Sequence, residues 1–496
     1  MAGIGVELNH IYEKNTITTN LIGYGYSTVI TIAPMLLVIL VIVLMVEFLG
    51  FSTVSYARRE LFACTVLYIF IFSLLTAAPF NAVLSKYMSD VIYEERFEDI
   101  LPCYYIGLLF NTIISCLLGI PFCIWEYYVG HVDIWFVFIG FCGYISLVFV
   151  FYTMLYLSIC KDYKKITIFY FLGMLVSIVL SFLLVYIFSV DITFSMLLSL
   201  VVGFLLIACL EVAVVKCYFR ENSNNYRSVL QYFKRYWKLI VTNFLYIFGL
   251  YIHNFVFWNT DLKMVVNNSF ICAPPYDMAT CLAMFTNISA SVIFISRVEM
   301  HFHSRYKSYS EAVIGGRWAD IEKTKNRMFR QLASELMNLA RIQFIISVAL
   351  YLIFVVVLPQ YGFSGMVLRI YPSLAAGYFI LFFMYGAIIF LYYFNDLTGS
   401  MLTSICFFIM TLVGSLWATT LSDIWYGIGL FIGAFSGWVI AYYRLRWVEK
   451  NIDAHIFCKG ELLKRGKGKK PPEKVYDVYK DENRRRGHIF KGRKRI

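Results

Sequence analysis

Apolar stretches of 17 to 29 residues recur along the whole chain, separated by short polar breaks. A mostly apolar run of about 20 residues is what crosses a hydrocarbon core about 30 Å thick. The pattern therefore predicts bilayer-spanning helices, and twelve of them: 21–49, 61–84, 103–125, 134–159, 166–188, 194–215, 239–259, 276–296, 342–358, 369–394, 400–420 and 424–443. The predicted fold class is an all-α polytopic membrane protein. A longer polar break after span six, KCYFRENSNNYRSVLQYFKRYWK, divides the spans six and six, so two bundles of equal orientation are expected, related as a parallel repeat. The expected division is 1–20 cytoplasmic segment, 21–215 first bundle, 216–238 linker, 239–443 second bundle with a cytoplasmic insert at 297–341, and 444–496 tail.

Charge orients this array. With the N-terminus inside, 39 of the 43 Lys and Arg residues fall on the cytoplasmic side, and the ratio is still 21 to 4 when the tail is omitted. That is the positive-inside asymmetry, and it places both termini in the cytoplasm. The tail from Arg444 onward holds 18 basic and 7 acidic residues, nearly all of the chain's net +12. Anionic lipid headgroups or an acidic partner fit such a segment better than nucleic acid, since no nucleic-acid-binding fold accompanies it. The composition agrees: 60% hydrophobic and 15% charged, where soluble domains carry about a quarter charged residues.

Polar residues inside the spans are the candidate chemistry. Tyr24, Ser27, Thr28 and Thr31 fall at helical spacing in span one and precede Pro34, which removes a backbone hydrogen bond. Span seven carries a similar stripe of Asn243, Tyr246 and His253, beside Gly249 and Asn254. Such stripes face protein or water. They serve either as hydrogen-bonding glue between helices or as the lining of a shared cavity, and their matching place in both halves favours the cavity. Intramembrane charges are few, and Glu47 and Glu211 are carboxylates within the spans, each a candidate proton or cation site or half of a structural pair. Arg and Lys are scarce in the spans, so a cavity here suits a substrate with little negative charge.

Two polar segments outside the spans are amphipathic. Ile4, Leu8, Ile11 and Tyr12 predict a short interfacial helix over 4–15, too poor in basic residues to be a secretory signal. Span eight is expected to run into the cytosol and stop at Gly315 and Gly316. A second helix then presents Trp318, Ile321, Met328, Leu332, Leu336 and Leu339 on one face, with Lys323, Lys325, Arg327 and Arg330 elsewhere. Such a basic amphipathic helix is expected to lie in the headgroup plane, with Trp318, Lys323, Arg327 and Arg330 as the contacts to lipid or to a cytosolic enzyme.

Catalytic signatures are missing. The chain has no GxxxxGK[ST], HExxH or GxSxG motif, and the HxH of His301 and His303 does not complete a metal site. No enzyme activity, cofactor or metal is expected. The twelve cysteines show no CxxC spacing; Cys272 and Cys281 flank the outer entrance of span eight as a reduced pair or a disulfide.

The opening MAGIGVEL followed by GYGYSTVITIAP, the cytoplasmic FISRVEMHFHSRYKSYSEAVIGGRWADIEKTKNRMFRQL and the tail segment VEKNIDAHIFCK resemble the Pel exopolysaccharide exporters (PelG) of the multidrug/oligosaccharidyl-lipid/polysaccharide flippase superfamily. The likeness runs to about Lys459; the basic extension beyond it has no counterpart expected in every member. It implies two six-helix bundles around a central cavity, walled in part by spans one and seven. It also implies export of an N-acetylated hexosamine polymer across the bacterial plasma membrane for a biofilm matrix, with a cytosolic glycosyltransferase and a membrane cyclic-di-GMP receptor and scaffold as partners. Two other readings stay open: a cation-coupled drug or metabolite antiporter of the same superfamily, and a scaffold that recruits the synthase without transporting.

Overall fold

The structure is a computed structural model that describes residues 17–160, 163–294, 298, 300–361 and 365–452, with side chains described from Ala33 onward in the first helix. The predicted 4–15 helix and the basic extension lie outside the described residues. The first half contains α1 (Ile17–Phe48), α2 (Tyr56–Tyr93), α3 (Ile100–Tyr128), α4 (Ile134–Ile159), α5 (Tyr163–Phe182, continued by a π turn at Leu183–Ile187) and α6 (Ile192–Tyr218). The second contains α8 (Trp237–Phe257), a hairpin of β1 (Met264–Val266) and β2 (Phe270–Cys272), α9 (Pro274–Thr286), α10 (Ile288–Ile293), α11 (Met300–Gly315), α12 (Trp318–Val357), α13 (Gly365–Tyr393), α14 (Leu397–Ala418) and α15 (Ile428–Ile452). Between the halves lies α7 (Tyr226–Arg235), a helix the polar linker hid from the sequence reading. The chain divides into two compact units, Met1–Leu445 and Arg446–Ile496.

Among the described residues, ten helices are long and apolar enough to cross a membrane. The first and eighth predicted spans take other forms among the described residues. In α1 the apolar part described with side chains is Ala33–Phe48, about half of its 32 residues. Span eight is broken at Asn287 into α9 and α10. A break within lipid depth must re-satisfy the freed backbone, and Gln343 of α12 does so: fully buried, it donates to the Thr286 carbonyl at 2.9 Å, while its Oε1 accepts from Ser289 at 2.7 Å.

Packing follows the two halves. In the first, α4 lies against α2, α3 and α6, and α5 lies against α1 and α6. In the second, α8 packs on α14, α9 on α13, and α13 on α12 and α14. The α14–α15 seam is tight because small residues meet there: a Cβ built on Gly429 would fall 2.4 Å from the Ser415 nitrogen and one on Gly433 2.7 Å from that of Thr411. Small residues of this kind let membrane helices approach closely. At one end of that pair Asp396 caps α14 and receives a bidentate contact from Arg444, both nitrogens at 2.9 Å, with the aspartate only 2% exposed.

The segment expected as a cytoplasmic insert differs in form from expectation. Residues 318–357 form one 40-residue helix, about 60 Å at 1.5 Å per residue, so span nine and the amphipathic segment are a single rod. No Gly or Pro interrupts the sequence between Arg317 and Leu358. Part of the apolar face packs on protein: Met328, Leu332 and Leu339 are buried, and Phe329 packs 5.7 Å from Phe394 at the end of α13. The expected stop at Gly315 is where α11 ends.

Candidate functional site

The halves meet chiefly where α2 runs beside α8. Cys64, Tyr68, Ile71, Phe72 and Ala78 recur on α2 at spacings near 3.6 and form one face of that helix. Leu67, Tyr68, Ile71 and Leu74 pack into the core of the second half, so the seam is continuous with a folded interior.

One stretch of the seam is sealed by aromatic rings. Tyr68 stacks on Trp258 of the second half at 5.2 Å and 5°, meets Phe270 edge-on at 5.0 Å and lies 5.6 Å from Phe122. Its hydroxyl donates to the Ile271 carbonyl at 2.8 Å and accepts from the Ile271 N–H at 3.1 Å, so α2 acts as a further polar edge for β2. Phe72 and Phe255 stack at 6.1 Å, and the Tyr56 hydroxyl reaches the Met264 sulfur at 3.4 Å. The hairpin is held in register by Met264↔Cys272 and Val266↔Phe270, with Asn267 and Asn268 in its turn at φ 47° and 56°, a conformation that Asn tolerates.

Farther along the seam, half-buried Asn243 bridges the halves. Its amide donates to the Ala78 carbonyl of α2 at 3.4 Å and its Oδ1 accepts from Tyr392 at 3.4 Å. Tyr246 turns into the second half, stacked 4.9 Å from Tyr385. His253 is fully enclosed, its Nδ1 2.8 Å from the Tyr276 hydroxyl, with neither its Nε2 nor the nearby Tyr378 hydroxyl hydrogen-bonded among the described residues. Asn254 donates to Asp277 at 2.7 Å, and Trp258 donates to the same carboxylate at 3.0 Å, which fixes α8 against the start of α9. The predicted stripe of span seven is thus split: Asn243 reaches the seam, while Tyr246 and His253 turn inward.

On span one, Pro34 is half-buried, and α1 approaches α10 of the other half. Tyr24, Thr28 and Thr31 lie in the helical backbone of α1, and their side chains are outside the described residues. Glu47 is exposed in the last turn of α1. Glu211 is fully buried between α4 and α6, where Thr153 donates to one carboxylate oxygen and the other has no partner among the described residues. Trp318 is 70% exposed, and Lys323, Arg327 and Arg330 are exposed on the same rod.

The sequence reading missed Glu126. It is 4% exposed and lines a cavity of about 220 Å³ with Thr65, Tyr68, Phe122, Tyr144 and Phe270. Its place next to the polar loop at Gly130 makes it look interfacial in sequence; only the packing of α2, α3 and α4 encloses it. The Cys272–Cys281 pairing is also corrected, because Cys272 faces Cys64 and Cys281 is exposed on α9.

A family model described as "PelG: Putative exopolysaccharide Exporter (EPS-E)" matches residues 1–457. The chain belongs to the PelG family. Among solved structures it is similar to the outward-facing conformation of a multidrug resistance MATE family transporter of the MOP superfamily, with a TM-score of 0.59 at 14% identity, covering 87% of this chain and 96% of that one. The inward-facing conformation of a MATE family transporter matches with 0.57 at 13% identity over 90% and 99%, and MATE in complex with MaL6 with 0.57 at 14% over 87% and 97%. At these identities the likeness shows the fold, which is that of the MOP superfamily. No curated protein matches the chain significantly in sequence. Together with its apolar helices, the PelG family and the MOP fold make this a multi-pass membrane protein of transporter type.

Proposed function

We propose that the chain exports an exopolysaccharide through the bacterial cytoplasmic membrane, both termini inside, for a biofilm matrix. The observation that carries the reading is the family match over nearly the whole chain. The seam supports it: two halves joined by aromatic stacking and a few side-chain hydrogen bonds can part and re-form without exposing charge to lipid. The substrate is a mostly neutral, N-acetylated hexosamine polymer, for which the scarcity of basic residues in the spans and the wealth of Tyr and Trp are suitable. A cytosolic glycosyltransferase supplies it, and a membrane cyclic-di-GMP receptor and scaffold completes the complex. The exposed Trp318, Lys323, Arg327 and Arg330 on a rod that leaves the membrane are the docking candidates for that enzyme, and the basic tail for anionic lipid.

Deleting the chain in cells with an intact synthase should remove extracellular hexosamine polymer, and the wild-type chain should restore it. Asn243→Leu, which loses the bridge to Ala78, should restore less than a tenth at equal expression. Unchanged polymer after deletion would end the reading, and full restoration by Asn243→Leu would move the path away from this seam.

A second reading, cation-coupled antiport, is favoured by the buried Glu211, one carboxylate oxygen of which has no partner among the described residues. It expects Glu211→Gln to abolish the dependence of transport on the proton gradient; the same dependence in the variant would eliminate it.

A further inference from the structure

Cys64 in α2 and Cys272 at the end of β2 place their sulfur atoms 3.1 Å apart, although 208 positions separate them and they belong to different halves. Both side chains are buried, 2% and 3% exposed. Their approach follows from the docking of the hairpin: Tyr68, one turn beyond Cys64, holds Ile271 by two hydrogen bonds, and the register sets Cys272 opposite Met264, whose sulfur meets Tyr56. The positions are therefore fixed from both sides. Closing the pair to a disulfide of about 2.05 Å needs roughly 1 Å of movement.

On the orientation read from the basic residues, the pair stands at the extracytoplasmic end of the seam, in the compartment where bacterial disulfides persist. We propose that Cys64 and Cys272 are a covalent modification site, forming a disulfide that ties the two halves together at their outer ends. In the reaction the two thiols lose two protons and two electrons and one S–S bond forms. The electrons pass to the disulfide of an extracytoplasmic thiol oxidoreductase through a mixed disulfide, which leaves that protein as a dithiol. The exchange takes place while the hairpin is lifted from α2, and redocking then encloses the bond. The consequence is mechanical. With the bond made, β2 cannot leave α2 and the outer end of the seam stays shut; with the thiols free, non-covalent contacts such as those of Tyr68, the ring stacking and the Tyr56–Met264 contact hold it.

The test uses the full chain in its native membranes. Free thiols are blocked with N-ethylmaleimide before lysis, and the protein is digested without reductant for mass spectrometry. The expected product is a Cys64–Cys272 linked peptide two hydrogens lighter than its parts. Diamide should drive the remainder to this form and lower polymer export at least tenfold; dithiothreitol should restore it, and Cys64→Ser or Cys272→Ser should make export indifferent to diamide. N-ethylmaleimide on both cysteines in every molecule, even after diamide, would overturn the bond, and full export by the linked form would overturn the lock. Because the site rests on the membrane orientation, Asn267→Cys in the double serine background is labelled with an impermeant maleimide. Labelling in intact cells supports the outer location, whereas labelling only after permeabilisation rejects that location independently of whether the bond forms.

Discussion

Tyr68 concentrates much of the seam's specificity in one side chain. Its hydroxyl satisfies both backbone groups of Ile271, and its ring touches residues from both halves. Removing one partner of a buried hydrogen bond costs about 1–3 kcal/mol when the other is left unsatisfied. Tyr68→Phe keeps the stacking and loses both bonds, so it should destabilise hairpin docking by about that amount and raise the N-ethylmaleimide reactivity of Cys272 several-fold; an unchanged rate would show that the rings alone hold the hairpin. A second contact at this scale is sensitive to acid. Asp191, in the loop before α6, loses some hydration on partial burial, which favours protonation, but hydrogen bonds from Thr193 and Phe194 N–H and the charge of Arg58 outweigh this and lower its pKa. A lowered carboxylate stabilises the fold above its unfolded pKa, and the contribution is lost as the pH falls through the folded value. Both partners are well exposed, so the effect is at most about 1 kcal/mol. Asp191→Asn should accordingly remove a small part of the melting-temperature drop between neutral pH and pH values below the carboxylate range. Asn243 could be found from sequence because a polar residue in an apolar run stands out; Tyr68 could not, being one of 38 tyrosines until the hairpin register gives it a partner.

Helices and their ends were less evenly legible. Apolar run length located the spans because a bilayer imposes it, and the glycine pair after Ile314 marked a true helix end. Periodicity alone could not say whether the apolar face of residues 318–339 meets headgroups or protein, since both require the same stripe. Nor could it see the break at Asn287, which becomes tolerable only through Gln343 on a distant helix. Gln343→Leu should therefore destabilise the α9–α10 junction by about 1–3 kcal/mol, seen as a lower melting temperature in detergent, while Gln343→Glu, retaining an acceptor for Ser289, should lose less than Leu. The Asp396–Arg444 pair fixes the start of α14, and Asp396→Ala, which removes both the cap of α14 and the buried carboxylate that Arg444 bonds twice, should lower stability and reduce the amount of chain in the membrane. Wild-type stability in either aspartate or glutamine variant would show that lipid or water replaces the lost contact.

Across the whole molecule, the expected division into six and six spans comes from counting alone, while the likeness to MATE structures concerns the fold as a whole. The seam could not be read in that way, because it is assembled from α2, α8 and a hairpin that lies in what the sequence presents as a loop. The central claim is that polymer crosses the membrane by way of this chain. It is tested most directly in inside-out vesicles carrying the synthase with or without the chain, given labelled nucleotide sugar on the exposed cytoplasmic face and then a polymer-degrading glycosidase. The account predicts labelled polymer protected in the lumen only when the chain is present. Polymer fully digested in its presence, or protected equally in its absence, would contradict it.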